Sequence, residues 1–191
     1  MSGPRWARWA SEAGAPAVLA AVVPLVVGAS AGGWRGLGLA VLAAVVAVAP
    51  GLALVLHLVR TGRVVGHHLP RRGDRPRVLA AALVGVVAAV GLVVALGAPR
   101  ELVVLMTSTA VLLGLLAVAS LRWKVSLHAA TATASLVAVE SALGPWVLLG
   151  APLVALVCWS RLALSAHTRG QVVAGGLTGL GAGLVALLVA G

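Results

Sequence analysis

The chain has 191 residues, 61% hydrophobic and only 9% charged, with a mean hydropathy of +1.12. A soluble domain carries about 25% charged residues, so this chain lacks the polar surface needed to face water on all sides. Its formal charge of +10 would fit nucleic acid, but the basic residues lie between apolar runs rather than along one soluble face, and no nucleic-acid partner is expected. A single cysteine, Cys158, excludes a disulfide-stapled domain and any CxxC zinc site.

Residues 78–98 contain no charge, and residues 37–59 contain only His57 near their end. Each run is long enough to cross a hydrocarbon core of about 30 Å as a helix. In chain order, the apolar runs predict seven spans at roughly 16–31, 37–59, 78–98, 102–121, 129–143, 147–159 and 172–190. The first, fifth and sixth are short, so six crossings are the alternative. The expected fold is all-α, a polytopic transmembrane bundle forming one domain over residues 1–191. The first apolar run reads as part of the bundle and not as a cleaved signal. All six Trp residues (6, 9, 34, 123, 146 and 159) fall near span ends, where indoles settle at headgroup level. Pro24, Pro50 and Pro152 fall within spans and predict local kinks.

With seven spans the loops alternate sides, and 12 of the 14 basic residues share one side, against Arg35 and Arg100 on the other. The positive-inside rule then places the N-terminal segment, residues 1–15, and the basic side in the cytoplasm of a bacterial plasma membrane. In the last span Gly175, Gly179 and Gly183 form a small-residue stripe suited to close helix packing, within the chain or in a homodimer.

The polar residues form four groups. Residues 67–76 combine His67, His68, Arg71, Arg72, Asp74 and Arg75; residues 123–128 bring Lys124, Ser126 and His128 to the start of the fifth span; residues 160–171 include Ser160, Arg161, His167 and Gln171. The fourth is Glu140, the one acid expected in mid-span, with Thr131, Thr133, Ser135 and Ser141 on the same helix. A carboxylate at that depth costs a few kcal/mol, so a buried polar seam or a pathway is expected there. Two spans separate the first group from the second, and two more separate the second from the third. All three therefore reach one membrane face. Phosphoryl transfer needs cationic donors, a nucleophile and a proton donor for the leaving oxygen. Arg75 and Arg161 offer donor forks, His167 a nucleophile and His128 a general acid. If Arg161 and His167 bracket a short helical turn, both reach one pocket, and Gln171, four residues after His167, shares its helical face.

At these residues, over about 60–185, the chain resembles the type 2 phosphatidic acid phosphatase superfamily, integral membrane phosphatases with motifs K-x6-R-P, P-S-G-H and S-R-x5-H-x3-D. Here they read His68-x6-Arg75-Pro76, Val125-Ser126-Leu127-His128 and Ser160-Arg161-x5-His167-x3-Gln171. The resemblance implies a metal-independent hydrolase without cofactors. In it His167 forms a phosphohistidine, and His128 protonates the departing alcohol. Arg75, Arg161 and Ser126 bind phosphate, with His68, Lys124 and Ser160 beside them. His68 stands where the family has lysine, and Gln171 stands where it has the aspartate that orients the nucleophile; Asp74 is a second candidate for that duty. Two spans also separate the first two motifs, which share a loop in the best-known members. The expected substrate is an amphiphilic lipid or isoprenoid phosphate or diphosphate, drawn from among the membrane lipids. The alternatives are a same-fold enzyme that ionises a prenyl diphosphate for cyclisation or transfer, and a non-catalytic phospholipid-binding protein.

Overall fold

A computed structural model describes residues 4–61, 75–121 and 123–190. All described elements are helical: α1 (Arg5–Ala13), α2 (Pro16–Arg60), α3 (Arg75–Ala95), α4 (Arg100–Ser120), α5 (Leu127–Leu143), a 3-10 turn (Pro145–Gly150), α6 (Ala151–Ala163) and α7 (Arg169–Ala190). Five helical segments among the described residues are long and apolar enough to cross a membrane, with α2 counted once, and α5 is a shorter apolar helix. Large apolar side chains such as Val45, Val84, Leu153 and Leu177 point outward, the inverse of a soluble core and the pattern lipid allows.

The first two predicted spans are the arms of α2. The helix breaks at Gly33, with φ 54 and ψ −141, a backbone region that a side chain strongly disfavours. A Cβ on Gly36 would overlap the Gly28 carbonyl, so the two arms fold back in backbone contact. The prolines do not make this bend. Pro24 and Pro50 lie within helical stretches of α2, and Pro152 sits in the first turn of α6, where its missing N–H removes no helical bond. The sixth predicted span is two pieces, because Gly144 (φ 95) ends α5 and the following six residues wind as 3-10 before α6 begins.

Two apolar clusters fill the interior. One joins Val23, Val27, Ala40 and Ala43 of α2 to Val93, Leu102 and Met106; the other joins Leu112 and Leu116 of α4 to Val125, Ala130 and Ala182. Glycines set the closest helix contact. A Cβ on Gly175 would lie 2.5 Å from the Ser126 carbonyl oxygen, one on Gly179 would overlap the Ala130 carbonyl, and one on Gly183 would lie 2.8 Å from Val137. The α7 stripe thus packs on α5 within the chain. The hydroxyls of Thr131, Thr133 and Ser141 bond back to carbonyls of α5 itself, which satisfies them without a neighbour. Glu140 is half-buried on the same helix.

Candidate functional site

At one end of the bundle the starts of α5 and α7 meet the end of α6. Ser126 caps α5: its backbone adopts an extended conformation and its Oγ accepts from the Ala129 N–H at 3.4 Å. Such a cap contributes about 1 kcal/mol to the helix. The Ser126 N–H donates to the Gln171 carbonyl at 3.1 Å, tying the start of α5 to that of α7. His128 therefore stands in the first turn of α5, ahead of the apolar stretch that begins at Ala129. Lys124 donates from Nζ to the Ala166 carbonyl at 3.1 Å.

Helix α6 closes with Ala166 N–H bonded to Arg161 C=O at 3.0 Å and Ser165 N–H bonded to Leu162 C=O at 2.9 Å. This is the six-to-one and five-to-two pair of a Schellman turn. Helix α3 closes with the same pair around Gly97, φ 60. In α6 the left-handed position is Ser165, φ 50, a conformation costing roughly 1–2 kcal/mol for a residue with a Cβ. The turn throws the chain back, and the His167 N–H also reaches the Arg161 carbonyl at 3.3 Å.

His167 lies before α7, so it does not share a helical face with Gln171 as the spacing suggests. A capping box joins them instead. The Gln171 N–H donates to Thr168 Oγ1 at 3.4 Å, and Gln171 Oε1 accepts from the Thr168 N–H at 3.2 Å, the reciprocal pair of a T-x-x-Q start. The same Oε1 lies 3.1 Å from His167 Nδ1. Because the amide oxygen already accepts from the backbone, Nδ1 must donate to it. Nδ1 is therefore a donor, which in the neutral ring leaves the lone pair on Nε2.

His128 faces Arg161 and His167 closely enough to feel both charges. Burial first, then those two neighbours, lower its pKa to about 4, with the nearby Ser11 backbone carbonyl acting in the opposite direction. It is neutral at pH 7. The unfolded chain, with an ordinary His pKa of about 6.5, binds the proton more readily than the folded one. The stability His128 confers is complete above about pH 6.5 and falls as pH drops toward 4. Thermal unfolding in detergent between pH 7.5 and 4.5 should show this loss, and His128→Gln should flatten it.

Arg161 donates from Nη1 to Ser11 Oγ, while its buried Nε has no hydrogen-bond partner among the described residues. Ser160 is fully buried and donates to the Val157 carbonyl at 2.7 Å, and Ser126 is fully buried beneath its cap. Arg75 is the first residue of α3. His68 and Asp74 lie outside the described residues. The structure thus gathers His128, Arg161, His167 and Gln171, with Lys124 on the adjoining turn. It adds Ser11, which nothing in the sequence motifs marks. The capping box was legible as Thr168-x-x-Gln171 ahead of an apolar run.

No family model matches the chain, and neither does any curated protein or any solved structure.

Proposed function

We propose that the chain is an integral membrane phosphohydrolase that removes phosphate from an amphiphilic monoester or diphosphate through a phosphohistidine on His167. The observation that carries this reading is the hydrogen bond between His167 Nδ1 and Gln171 Oε1. With Nδ1 as the donor, the neutral ring keeps its lone pair on Nε2, and His128 lies close enough to Arg161 and His167 to feel both. That constellation provides a nucleophile, a phosphate-binding fork and a proton carrier. It coincides with two of the three motif stretches that resemble the type 2 phosphatidic acid phosphatases. The basic bias of the flanking loops supports a cytoplasmic site, and the two arms of α2 support seven crossings.

In the first step His167 Nε2 attacks the terminal phosphorus, the bond from that phosphorus to the leaving oxygen breaks (the alcohol oxygen of a monoester, the bridging oxygen of a diphosphate), and the leaving oxygen takes a proton from protonated His128. In the second step water attacks the phosphohistidine, His128 takes the proton of that water, and phosphate leaves. The resting His128 is neutral. After burial, the Arg161 charge is the next cause that lowers its pKa, and a bound phosphate anion offsets that charge and favours the protonated ring.

The test is incubation of the detergent-purified protein, without added metal, with prenyl diphosphates, prenyl phosphates and phosphatidic acid. Phosphate and a free alcohol or diacylglycerol are expected. A rearranged hydrocarbon would instead indicate diphosphate ionisation, and folded protein that releases phosphate from none of them would overturn the reading.

A further inference from the structure

The nine-residue helix α1 sits on the candidate site. Its Ser11 meets both principal groups there: the hydroxyl accepts from Arg161 Nη1, and the backbone carbonyl lies near enough to the His128 ring to act on its proton. A phosphate that takes Arg161 Nη1 competes with Ser11 for that donor, so an anion seated there and Ser11 exclude one another. Below the site, α1 also roofs an apolar groove of about 420 Å³ between α5 and α6. Ala10, Ala13 and Gly14 form its roof, Ala132, Leu136 and Val139 one wall, and Val157 and Leu153 on α6 the other. Along α5 the distance from His128 to Val139 is about 16 Å at 1.5 Å per residue, about half the hydrocarbon core. Groove residues Ala10, Ala132 and Val157 stand within about one helical turn of Ser11, His128 and Arg161 in the sequence, so the polar head site and the apolar groove adjoin under α1.

Helix α1 joins α2 through the two-residue turn Gly14–Ala15, whose N–H groups donate to the Ala10 and Glu12 carbonyls, and no side chain caps the start of α2. It seats on the protein through Ala7, Ser11 and Gly14, and through a stack of Trp6 on Trp159 with centroids 3.8 Å apart. Its other face exposes Arg5, Arg8 and Trp9, the composition of a helix that lies in a headgroup layer. Leaving the protein therefore does not put α1 into an environment foreign to it.

We infer that α1 is the lid of an amphiphile-binding groove, with Ser11 standing where the phosphate of a single-tailed or prenyl phosphate binds and the tail lying between α5 and α6. This rests on the phosphate-site reading above. Arg161 and His128 recognise the anion, and the groove selects a tail that enters from one leaflet.

Binding of dodecyl phosphate and of inorganic phosphate to the full-length protein tests it, with Trp fluorescence reporting the Trp6–Trp159 stack. Dodecyl phosphate should unstack the pair. Ser11→Ala should tighten its binding about tenfold, the worth of a hydrogen bond to a charged group. The second variant is Gly14→Cys with Val157→Cys in a Cys158→Ala background, because a Cβ on Gly14 lies 3.2 Å from that of Val157, close to disulfide spacing. The oxidised form should lose dodecyl phosphate binding at least tenfold, and reduction should restore it, which also shows that the variant folds. Equal binding by locked and reduced forms, or weaker binding by Ser11→Ala, overturns the lid while Arg161-dependent inorganic phosphate binding leaves the site standing. Absence of all phosphate binding, by wild type and Ser11→Ala alike, overturns both.

Discussion

Replacing His167 by Ala should abolish phosphate release, lowering kcat by about 10⁴-fold or more, the scale seen when a covalent nucleophile is deleted. A loss of 10⁴ corresponds to about 5.5 kcal/mol of barrier. The capping-box glutamine keeps its backbone partner on Thr168 when the His167 ring is removed, so the start of α7 should remain folded, which circular dichroism and size exclusion check. Gln171 gives a graded companion. Gln171→Leu removes the acceptor that fixes the histidine tautomer and should lower kcat with little change in KM. Gln171→Asp keeps the acceptor and adds a charge beside the imidazolium that forms as the phosphohistidine is made, and should raise kcat about tenfold, the difference between a neutral and a charged hydrogen bond. Steady-state release of phosphate, with acid-labile label on the protein in a quenched turnover, measures both. Undiminished release by His167→Ala would remove the histidine from the chemistry.

The largest effect on stability is expected at Gly179. A Cβ there would overlap the Ala130 carbonyl and lie 3.1 Å from the Ala134 nitrogen. Both are backbone atoms of α5, so no rotamer change can make room and the helices must part. Gly179→Val should destabilise by about 3 kcal/mol or more, the upper end for overpacking, and should broaden the size-exclusion peak in detergent. Gly181 lies two residues on, where an added methyl group would have nothing within 4 Å, and Gly181→Ala should be neutral or slightly stabilising, since alanine is the better helix former. Thermal unfolding of the pair separates lost packing from a general intolerance of substitution in α7.

Helices and their apolar stretches were legible in the sequence because lipid demands long uninterrupted runs, and the described helices cover each run that hydropathy marks. The bend was not. Hydropathy sees Gly33 as one more small residue, and the prolines at 24 and 50 are the stronger local breakers, yet a proline can be accommodated in a helix whereas an arm that folds back needs a positive φ. The polar groups at residues 123–128 and 160–171 were legible as one face, since two crossings return the chain to the same side. Their internal geometry was harder to read. An i to i+4 spacing suggests a shared helical face, but the αL residue Ser165 and the Thr168 cap put His167 outside the helix. Ser11 left no trace in the sequence, because its place depends on α1 folding back over α6, a tertiary contact with no local pattern to announce it.

The glycine contact between α5 and α7 has a mechanical consequence. His128 rises from one of these helices, and His167 and Gln171 stand at the start of the other, with the Ser126 to Gln171 backbone bond bridging them. Backbone against backbone leaves little slack, so the spacing of the two histidines behaves as a fixed gauge. Arg161 is held differently. It rides on α6, which packs on α5 and α1 but has little contact with α7, and is steadied by the turn through Ser165 and by Ser11. Perturbations that loosen α6 from α1 should therefore change how tightly an anion is gripped while leaving the two histidines in register. Those that wedge α5 from α7 should disable the chemistry even when the anion still binds.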